Sequence, residues 1–245
     1  EAAISEGAQR VAGSLIAERT SKEIHTTGGV KGTNAYTSYN LSVRAFADPE
    51  ATGQFAQVAT RFRDLDPEDV GRQAGEIAKK ALNPKPAEPG RYDAVLGPMT
   101  VADLVEEVAS AASAYGVEAG LSFLTDGLGK KVASSSFSLY DDPTDERVPG
   151  SAPFDDEGLP TFAKPIIEDG ILKTYLHNSL TAKMMGAKST ANAGLIRPVA
   201  FNLKIGTGDK SIEDLVSMVD NGIYITNNWY LRYQNTRNGD FSTIL

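Results

Sequence analysis

The chain has 245 residues, of which 41% are apolar and 23% charged, and this balance is typical of a soluble globular protein with one large domain or two smaller ones. No apolar run approaches the roughly 18 residues that a membrane span requires, so we expect no membrane partner. The formal net charge of −8 gives no support to nucleic-acid binding. Cysteine is absent, which excludes disulfides and thiol nucleophiles and suits a reducing cytoplasm.

The first third of the chain reads as a helix, a long hairpin and a second helix. Residues 1–13 are predicted to be helical, and a strand is predicted at about Leu15–Thr26, before a turn at Gly28-Gly29. Polar and apolar residues alternate over 34–47, which predicts a long, half-buried antiparallel strand. The segment Asp66-Pro67-Glu68-Asp69 then has an N-cap residue, a proline at the first helical position and early acids, so it predicts the start of a helix.

A proline-rich segment divides the sequence. Three prolines between residues 84 and 90 fix an extended path and forbid a helix, so we interpret this segment as a linker. The sequence opens at Glu1 without a methionine and stops at Leu245 directly after strand-like residues. We therefore expect a fragment of a longer protein.

After the linker, strand and helix signals alternate. Arg91–Gly97 reads as a short strand, and Thr100 with Asp103 predicts a capping box for a helix that continues to about Tyr115. The segment Val132–Tyr140 alternates between serine and apolar residues, which predicts another strand.

The last third contains two hairpin signals and one further helix. Glu168-Asp169-Gly170 lies between the apolar runs 162–167 and 171–177, and Asp-Gly in that position indicates a hairpin. Ser211–Asp214 reads as a second capping box, for a helix to about residue 220, and Asn238-Gly239 predicts the final hairpin turn. We expect an α+β protein with mixed or antiparallel sheets and segregated helices.

One segment has the spacing of a metallopeptidase motif without its ligands. In Val117-Glu118-Ala119-Gly120-Leu121-Ser122 the glutamate stands where such a motif places its general base, but Val117 and Ser122 occupy the positions of the two histidines. Neither side chain binds zinc strongly. The alternative interpretation is that Glu118 is an ordinary carboxylate at a helix end.

Other candidate sites are less specific. The segment Gly206–Ser211 resembles a phosphate loop, but Asp209 precedes the lysine where glycine is needed and would repel a phosphate. The acids between residues 141 and 157 suggest a calcium site or, equally well, a set of turns. His25 and His177 are the two imidazoles in the chain, and a lone histidine such as His177 is more often a hydrogen-bonded structural residue than a ligand.

Short segments over residues 91–242 occur in a characteristic order. They are Arg91–Pro98, Ser122–Leu124, Gly127–Lys130, Asp141–Pro143, Ser151–Gly158, Asp169–Leu172, Leu176-His177, Thr181-Ala182, Ser189–Ala193, Asn202-Leu203 and Gly239–Ser242. This ordered set resembles the TldD/PmbA (TldE) family, whose members are also called modulators of DNA gyrase. The resemblance implies that residues 1–83 are the remainder of an N-terminal α/β domain, 84–90 the linker, and 91–245 a truncated, strand-rich C-terminal domain.

The resemblance implies a cytoplasmic peptide-processing system. TldD-type members carry H-E-x-x-x-H and bind zinc with both histidines and a later cysteine, whereas PmbA/TldE-type members lack that motif. This chain is similar to the second type, so the expected role is that of a noncatalytic subunit without its own zinc, with Glu118 as a vestigial position. The partners expected are a zinc-bearing TldD-type subunit or a second copy in a dimer, and a peptide substrate. Two alternatives stay open: a nonproteolytic binding or regulatory protein, and an active homomeric metallopeptidase.

Polar residues that follow one predicted strand are the candidates for contacts with a peptide. They are His177, Asn178, Ser189, Thr190 and Asn192. Family members commonly have glycine where Ala191 stands between them. Because alanine with a positive φ costs on the order of 1 kcal/mol, we expect a negative φ at Ala191.

Overall fold

The computed structural model describes residues 1–244, so Leu245, the last residue of the predicted C-terminal domain, lies outside the described residues. The chain forms two compact units. The first contains residues 1–20, 36–100 and 210–227, and the second contains 21–35, 101–209 and 228 to the end of the described chain. The predicted linker, 84–90, is exposed and irregular within the first unit. The domain boundaries at residues 83 and 91 stay a prediction.

A three-stranded sheet begins the fold, in the order β1-β2-β3. Its strands are β1 (Arg10–His25), β2 (Lys31–Phe46) and β3 (Thr52–Ala59). Strands β2 and β3 pair antiparallel, and the β1–β2 turn closes through Thr26 N donating to Val30 O at 3.0 Å. The long strand and the turn predicted from the sequence are confirmed.

The predicted helix over residues 1–13 is wrong for most of its length. Helix α1 covers Ala2–Ser5, and the chain is already a strand from Arg10. Gly7, with φ +110°, takes a conformation that L-residues rarely adopt and ends the helix. Gly13, which reads as a helix stop, instead allows two backbones to approach, since a Cβ there would lie 2.7 Å from Ser42 O.

Helix α2 (Pro67–Lys80) packs on β3 and confirms the predicted start signal. The Asp66 carboxylate accepts a hydrogen bond from Asp69 N at 2.9 Å, and Pro67 is the first helical residue. Val70, Ala74 and Ala78 form the buried face of the helix. Small residues predominate in this core because helix and strand nearly touch.

The first unit also contains a parallel pair of strands, β4 (Asp93–Leu96) with β9 (Gly222–Ile225). The predicted capping box at Thr100 is wrong, because helix α3 (Pro98–Ala111) starts two residues earlier. The Thr100 hydroxyl instead donates to Ile225 O at 3.2 Å, within the first unit, and α3 belongs to the second unit from Val101 onward. The capping box at Ser211–Asp214 is confirmed, and its helix α6 (Ile212–Ser217) is three residues shorter than predicted.

The second unit is built on a four-stranded antiparallel sheet in the order β7-β6-β5-β8. Its strands are β5 (Leu139–Asp141), β6 (Lys164–Glu168), β7 (Ile171–Leu172) and β8 (Leu203–Ile205). The β6–β7 hairpin is confirmed: Asp169 (φ 50°) and Gly170 (φ +76°) both have the positive φ that a type I′ turn requires. The strand predicted over Val132–Tyr140 begins only at Leu139. Before it, the Ser134 and Ser136 hydroxyl oxygens lie 2.9 Å apart in a hydrogen-bonded turn, which replaces the start of the predicted strand.

The remaining elements of the second unit are two short helices and a hairpin. They are α4 (Ala114–Glu118), α5 (Ser179–Met184), β10 (Trp229–Asn235) and β11 (Asp240–Ile244). The predicted hairpin at Asn238-Gly239 is confirmed by the β10–β11 pairing. The helix predicted to reach Tyr115 breaks at Ser113, whose backbone is extended (φ −62°, ψ 121°), and α4 restarts the helical path.

These elements confirm the predicted α+β class, with antiparallel sheets, one parallel pair and helices that follow or precede strands. Among residues 1–244, no helix combines the length and the apolar content needed to cross a bilayer.

The contact between α2 and β3 leaves no space for a side chain at Gly53. A Cβ there would lie 2.3 Å from Ala74 O and 2.4 Å from Ala78 N, both of which are backbone atoms. We predict that Gly53→Ala lowers the free energy of unfolding by about 1–3 kcal/mol, because the helix must move away from the strand. Urea denaturation measures this loss. Gly208→Ala is the matched control, since a Cβ there meets nothing within 4 Å; equal stability of the two variants would contradict the packing.

Candidate functional site

The segment that resembles a metallopeptidase motif is divided between the core and the surface. Val117 is buried in the apolar core of the second unit, and Glu118, the last residue of α4, is exposed. Ser122 is also buried: its hydroxyl donates to Ala111 O at 2.6 Å and accepts from Leu124 N at 3.0 Å. The two positions that flank Glu118 therefore stabilise the fold.

This arrangement does not fit a zinc ion. Zinc requires three or four nitrogen, sulfur or carboxylate ligands at short distances. Val117 has no donor atom, and the Ser122 hydroxyl is already committed to two backbone partners. Within residues 1–244, no group of three or more His, Asp or Glu side chains gathers in a way that could hold a metal.

The two histidines have different surroundings. His25 is exposed at the end of β1, with its Nε2 2.5 Å from Glu23 Oε1. His177 is buried, and its Nδ1 lies 3.3 Å from the Thr181 hydroxyl. Burial lowers the pKa of His177 because it disfavours the charged imidazolium.

The carbonyl oxygen of His177 binds the loop that contains Ser189, Thr190 and Asn192, which we call the candidate loop. It accepts hydrogen bonds from Ser189 Oγ, Thr190 N and Asn192 N, each at 3.3 Å. His177 N donates in return to Thr190 Oγ1 at 2.7 Å, and the Thr190 hydroxyl lies 2.8 Å from Asn192 Oδ1. The structure thus brings together residues that are 12 or more positions apart in sequence.

Asn178 has a structural partner of its own. Its side-chain oxygen accepts from Thr181 N at 2.9 Å, and Thr181 Oγ1 accepts from Asn178 N at 3.2 Å, so the pair forms a capping box for α5. The predicted candidates are therefore adjacent in space, but they differ in exposure. Ser189 and Thr190 are half-buried, while His177, Asn178 and Asn192 are buried. Their role as peptide contacts stays a prediction.

The prediction for Ala191 is wrong, since its φ is +54°. The loop reverses direction at this residue because its neighbours Thr190 N and Asn192 N both donate to the same carbonyl. Ala191 N also donates to Ser189 Oγ at 3.2 Å. These hydrogen bonds offset the roughly 1 kcal/mol cost of left-handed alanine. The position thus has the conformation that glycine adopts readily.

Asp141 is the buried residue that holds this loop to the sheet. Its carboxylate accepts hydrogen bonds from Asn192 Nδ2 (2.7 Å), Lys164 Nζ (3.2 Å), Phe201 N (2.8 Å) and Asn202 N (3.1 Å). Its side chain is fully buried. The sequence placed Asp141 in an acidic cluster and in one of the segments shared with the family, but without a role in the site. The signal that was missed is its position at the end of a strand, where an unpaired charge would be buried.

Lys164 shares the burial of Asp141. Its side chain is 4% exposed, and its ammonium lies 4.6 Å from the ring centre of Phe162. Burial lowers the pKa of Lys164, and the negative charge of Asp141 opposes that effect. The pair is therefore a buried ion pair whose members depend on one another.

The other acids of the cluster form turns and ion pairs. Asp142 Oδ1 accepts from Thr144 N at 3.1 Å, and Lys204 Nζ contacts Asp142 at 2.6 Å and Asp145 at 2.8 Å. The hydrogen bond from Lys204 lowers the pKa of Asp142, and Arg147 has the largest such effect on the pKa of Asp145. The turn interpretation of the cluster accounts for these contacts.

Asp155 has the same kind of role as Asp141. It is fully buried, and its oxygens accept from Glu157 N (3.0 Å), Leu159 N (2.9 Å) and Ala193 N (3.0 Å). Two buried carboxylates thus hold adjacent residues of the loop: Asp141 accepts from the Asn192 side chain and Asp155 from Ala193 N. The arrangement fixes a surface loop on a rigid sheet, which is how binding residues are commonly presented.

Comparison with known proteins identifies a fold shared with metallopeptidases. The sequence model of the PmbA/TldA metallopeptidase central domain matches residues 1–82, and that of the C-terminal domain matches residues 89–245. A crystal structure of a candidate modulator of a DNA gyrase from Thermotoga maritima superposes with a TM-score of 0.86 at 29% identity, over 99% of this chain and 61% of that chain.

Curated relatives carry both types of family name. A metalloprotease TldD homolog from Buchnera aphidicola is 36% identical over 64% of this chain and 34% of its own length. A metalloprotease PmbA homolog from Haemophilus influenzae is 32% identical over 69% of this chain and 41% of its own. This chain therefore spans less than half the length of these relatives. It belongs to the TldD/PmbA family of metallopeptidases.

The buried ion pair makes the loop sensitive to the charge at residue 141. We predict that Asp141→Asn lowers the free energy of unfolding by about 3–5 kcal/mol, because it leaves the Lys164 ammonium buried without a carboxylate. The double variant Asp141→Asn/Lys164→Met removes both charges, so its free energy of unfolding should fall less than that of the single variant. The matched control is Asp169→Asn at an exposed turn, which should be near neutral because asparagine tolerates a positive φ. Urea denaturation provides the comparison, and a loss of under about 1 kcal/mol for Asp141→Asn would contradict the role of the pair.

The lowered pKa of His177 makes stability depend on pH. Below its ordinary value of 6.5, the unfolded chain binds a proton at this residue that the folded chain resists. Stability should therefore fall as the pH drops from 7.5 toward 5, by at most about 1.4 kcal/mol per pH unit from this group. We expect His177→Gln to show a smaller loss over the same interval in denaturant titrations. Parallel pH profiles for the two proteins would show that His177 does not cause the dependence.

Proposed function

We propose that this protein is a PmbA/TldE-like, noncatalytic subunit of a cytoplasmic peptide-processing system. In this proposal its partner is a zinc-bearing TldD-type subunit, which supplies the metal and the general base. This chain supplies part of the surface that holds the peptide. Zinc is expected only in the partner.

The proposal rests mainly on the surroundings of Val117 and Ser122, the two positions where a zinc motif would have its histidines. In a zinc site both positions would present ligand atoms to the same ion. Here Val117 packs in the apolar core, and the Ser122 hydroxyl bonds to the backbone of α3 at Ala111. These side chains support the fold, so hydrolysis by this segment would lack the metal that activates water.

The candidate loop supports a peptide-holding role. Ser189 and Thr190 are half-buried, and Asp141 links their loop through Asn192 to the backbone of Asn202. Asn202 directly precedes β8, the end strand of the four-stranded sheet. An extended peptide can be held by main-chain hydrogen bonds to an end strand and by polar side chains beside it. We propose Ser189 and Thr190 as direct contacts, and His177, Asn178 and Asn192 as the residues that position them.

Reconstitution with purified subunits tests this role. We predict that the full-length protein alone does not cleave an unfolded peptide, and that cleavage appears when a TldD-type subunit with the H-E-x-x-x-H motif is added. Glu118→Gln should leave that activity within about twofold, because the residue activates no water. As the matched control, the same change at the glutamate of the partner's motif should abolish cleavage. Peptide hydrolysis by this protein alone that Glu118→Gln removes would overturn the proposal, and binding of gyrase without any peptidase activity would favour a regulatory role.

A further inference from the structure

The most exposed large apolar side chains of residues 1–244 follow directly after the candidate loop. Leu195 is 93% exposed and Ile196 79%. They come three and four positions after Asn192, whose side chain donates to the buried carboxylate of Asp141. Neighbouring aliphatic side chains exposed to this extent are typical of an interaction surface, because removing them from water is favourable.

The turn that carries these two side chains is a rigid continuation of the candidate loop. Asn192 O accepts a hydrogen bond from Val199 N at 2.9 Å, and Asn192 Nδ2 donates to Val199 O at 2.8 Å. Gly194 N donates to Arg197 O at 3.2 Å and closes the turn, which we call the 194–197 tip. Because these bonds set the shape of the tip before any ligand arrives, binding there costs little conformational entropy.

The tip lies within reach of a peptide held at the hydroxyls of the candidate loop. Five peptide bonds separate Thr190 from Leu195, so their Cα atoms lie at most about 18 Å apart. An extended peptide spans that distance with about six residues. A single peptide can therefore contact the Ser189 and Thr190 hydroxyls with its main chain and the tip with its side chains.

The charge along this part of the chain favours an acidic peptide. From Lys188 to Arg197 the sequence has two cations and no Asp or Glu, although the whole chain carries −8. Lys188 directly precedes Ser189, Arg197 directly follows Ile196, and both cations are exposed. Within residues 1–244, no carboxylate forms an ion pair with either of them. Cations of this kind attract a peptide with carboxylates and repel a basic one.

We propose that the 194–197 tip is a side-chain subsite of the peptide-holding surface, and that it selects peptide segments that combine aliphatic and acidic residues. This inference rests on the proposed function, because it takes the main chain of the peptide to be held at the candidate loop. The two aliphatic side chains of the tip cover aliphatic side chains of the peptide, and Lys188 and Arg197 pair with its carboxylates. Hydrogen bonds to the main chain hold any sequence, whereas these side-chain contacts discriminate between sequences.

Fluorescence anisotropy of three labelled, unstructured peptides of equal length tests this selectivity in the full-length protein. The first peptide contains Leu and Glu, the second has Ser in place of each Leu, and the third has Lys in place of each Glu. We expect the first to bind at least about fivefold more tightly than either of the others.

The tip variants should change these preferences one at a time. Leu195→Ser/Ile196→Ser should remove the preference for Leu over Ser, and Arg197→Glu should reduce the preference for Glu over Lys. Met218→Ser is the matched control, because Met218 is 64% exposed and lies outside this part of the chain; its preferences should equal those of the wild type. Circular dichroism should show the wild-type fold in every variant, since the substituted side chains are exposed.

A change in preference distinguishes a subsite from a structural role, because a distorted loop would weaken the binding of all three peptides alike. Equal affinity of the wild type for the three peptides, preferences that the tip variants leave intact, or no peptide binding would each overturn the inference. Tip variants that keep the preferences but no longer assemble with a zinc-bearing subunit would assign the tip to that contact instead. Cleavage by the mixed subunits is measured separately. Cleavage without a tip-dependent preference would contradict this inference alone, whereas the preference without cleavage would contradict the proposed function and retain the subsite.

Discussion

The second unit depends on the buried carboxylate of Asp141. Four donors from three separated parts of the chain converge on it: Lys164 on β6, Asn192 in the loop after α5, and the backbone of Phe201 and Asn202 before β8. A carboxylate at full burial is tolerable only when its charge is compensated in this way. The requirement therefore fixes where the loop lies on the sheet. Asp155 holds the next residue of the same loop, because its carboxylate accepts a hydrogen bond from Ala193 N.

These buried carboxylates determine what the candidate site can present. The loop between His177 and Asn192 closes on a single carbonyl oxygen, and most of its polar groups are occupied within the protein. Such a site can hold a ligand through half-buried hydroxyls and backbone groups. The two candidate ligand positions around Glu118 are likewise used within the fold, since Val117 packs in the apolar core and the Ser122 hydroxyl bonds to Ala111 O. The chemistry that these residues support is binding, and this is why the proposed role is that of a subunit that positions a peptide.

Local signals predicted the elements that depend on local chemistry. The N-cap at Asp66, the capping box at Ser211 and the turn at Asp169-Gly170 each involve residues within a few positions, so the sequence shows them directly. The helix predicted over residues 1–13 was wrong, because Gly7 ends the helix through its positive φ and Gly13 lies where two strands approach closely. Ala191 was misread because Thr190 and Asn192 on either side of it are bound to the His177 carbonyl, 13 and 15 positions away, and no local propensity reports these bonds.

The family resemblance suggested the candidate residues, but it gave no role to Asp141, the residue that joins them to the sheet. Asp141 is separated from Asn192 by 51 positions, and a sequence gives no distance between the two. The fold class follows from periodicity, whereas the polar network depends on tertiary contacts that only the structure reveals.

The central claim is that this chain has no metal centre of its own and contributes binding surface to a subunit that has one. The most direct test is the zinc content of the purified full-length protein and of its complex with a TldD-type subunit, measured by elemental analysis against protein mass. The account predicts no bound zinc in the protein alone and zinc at the level of the TldD-type subunit in the complex. Stoichiometric zinc in the protein alone, lost on Glu118→Gln, would contradict it.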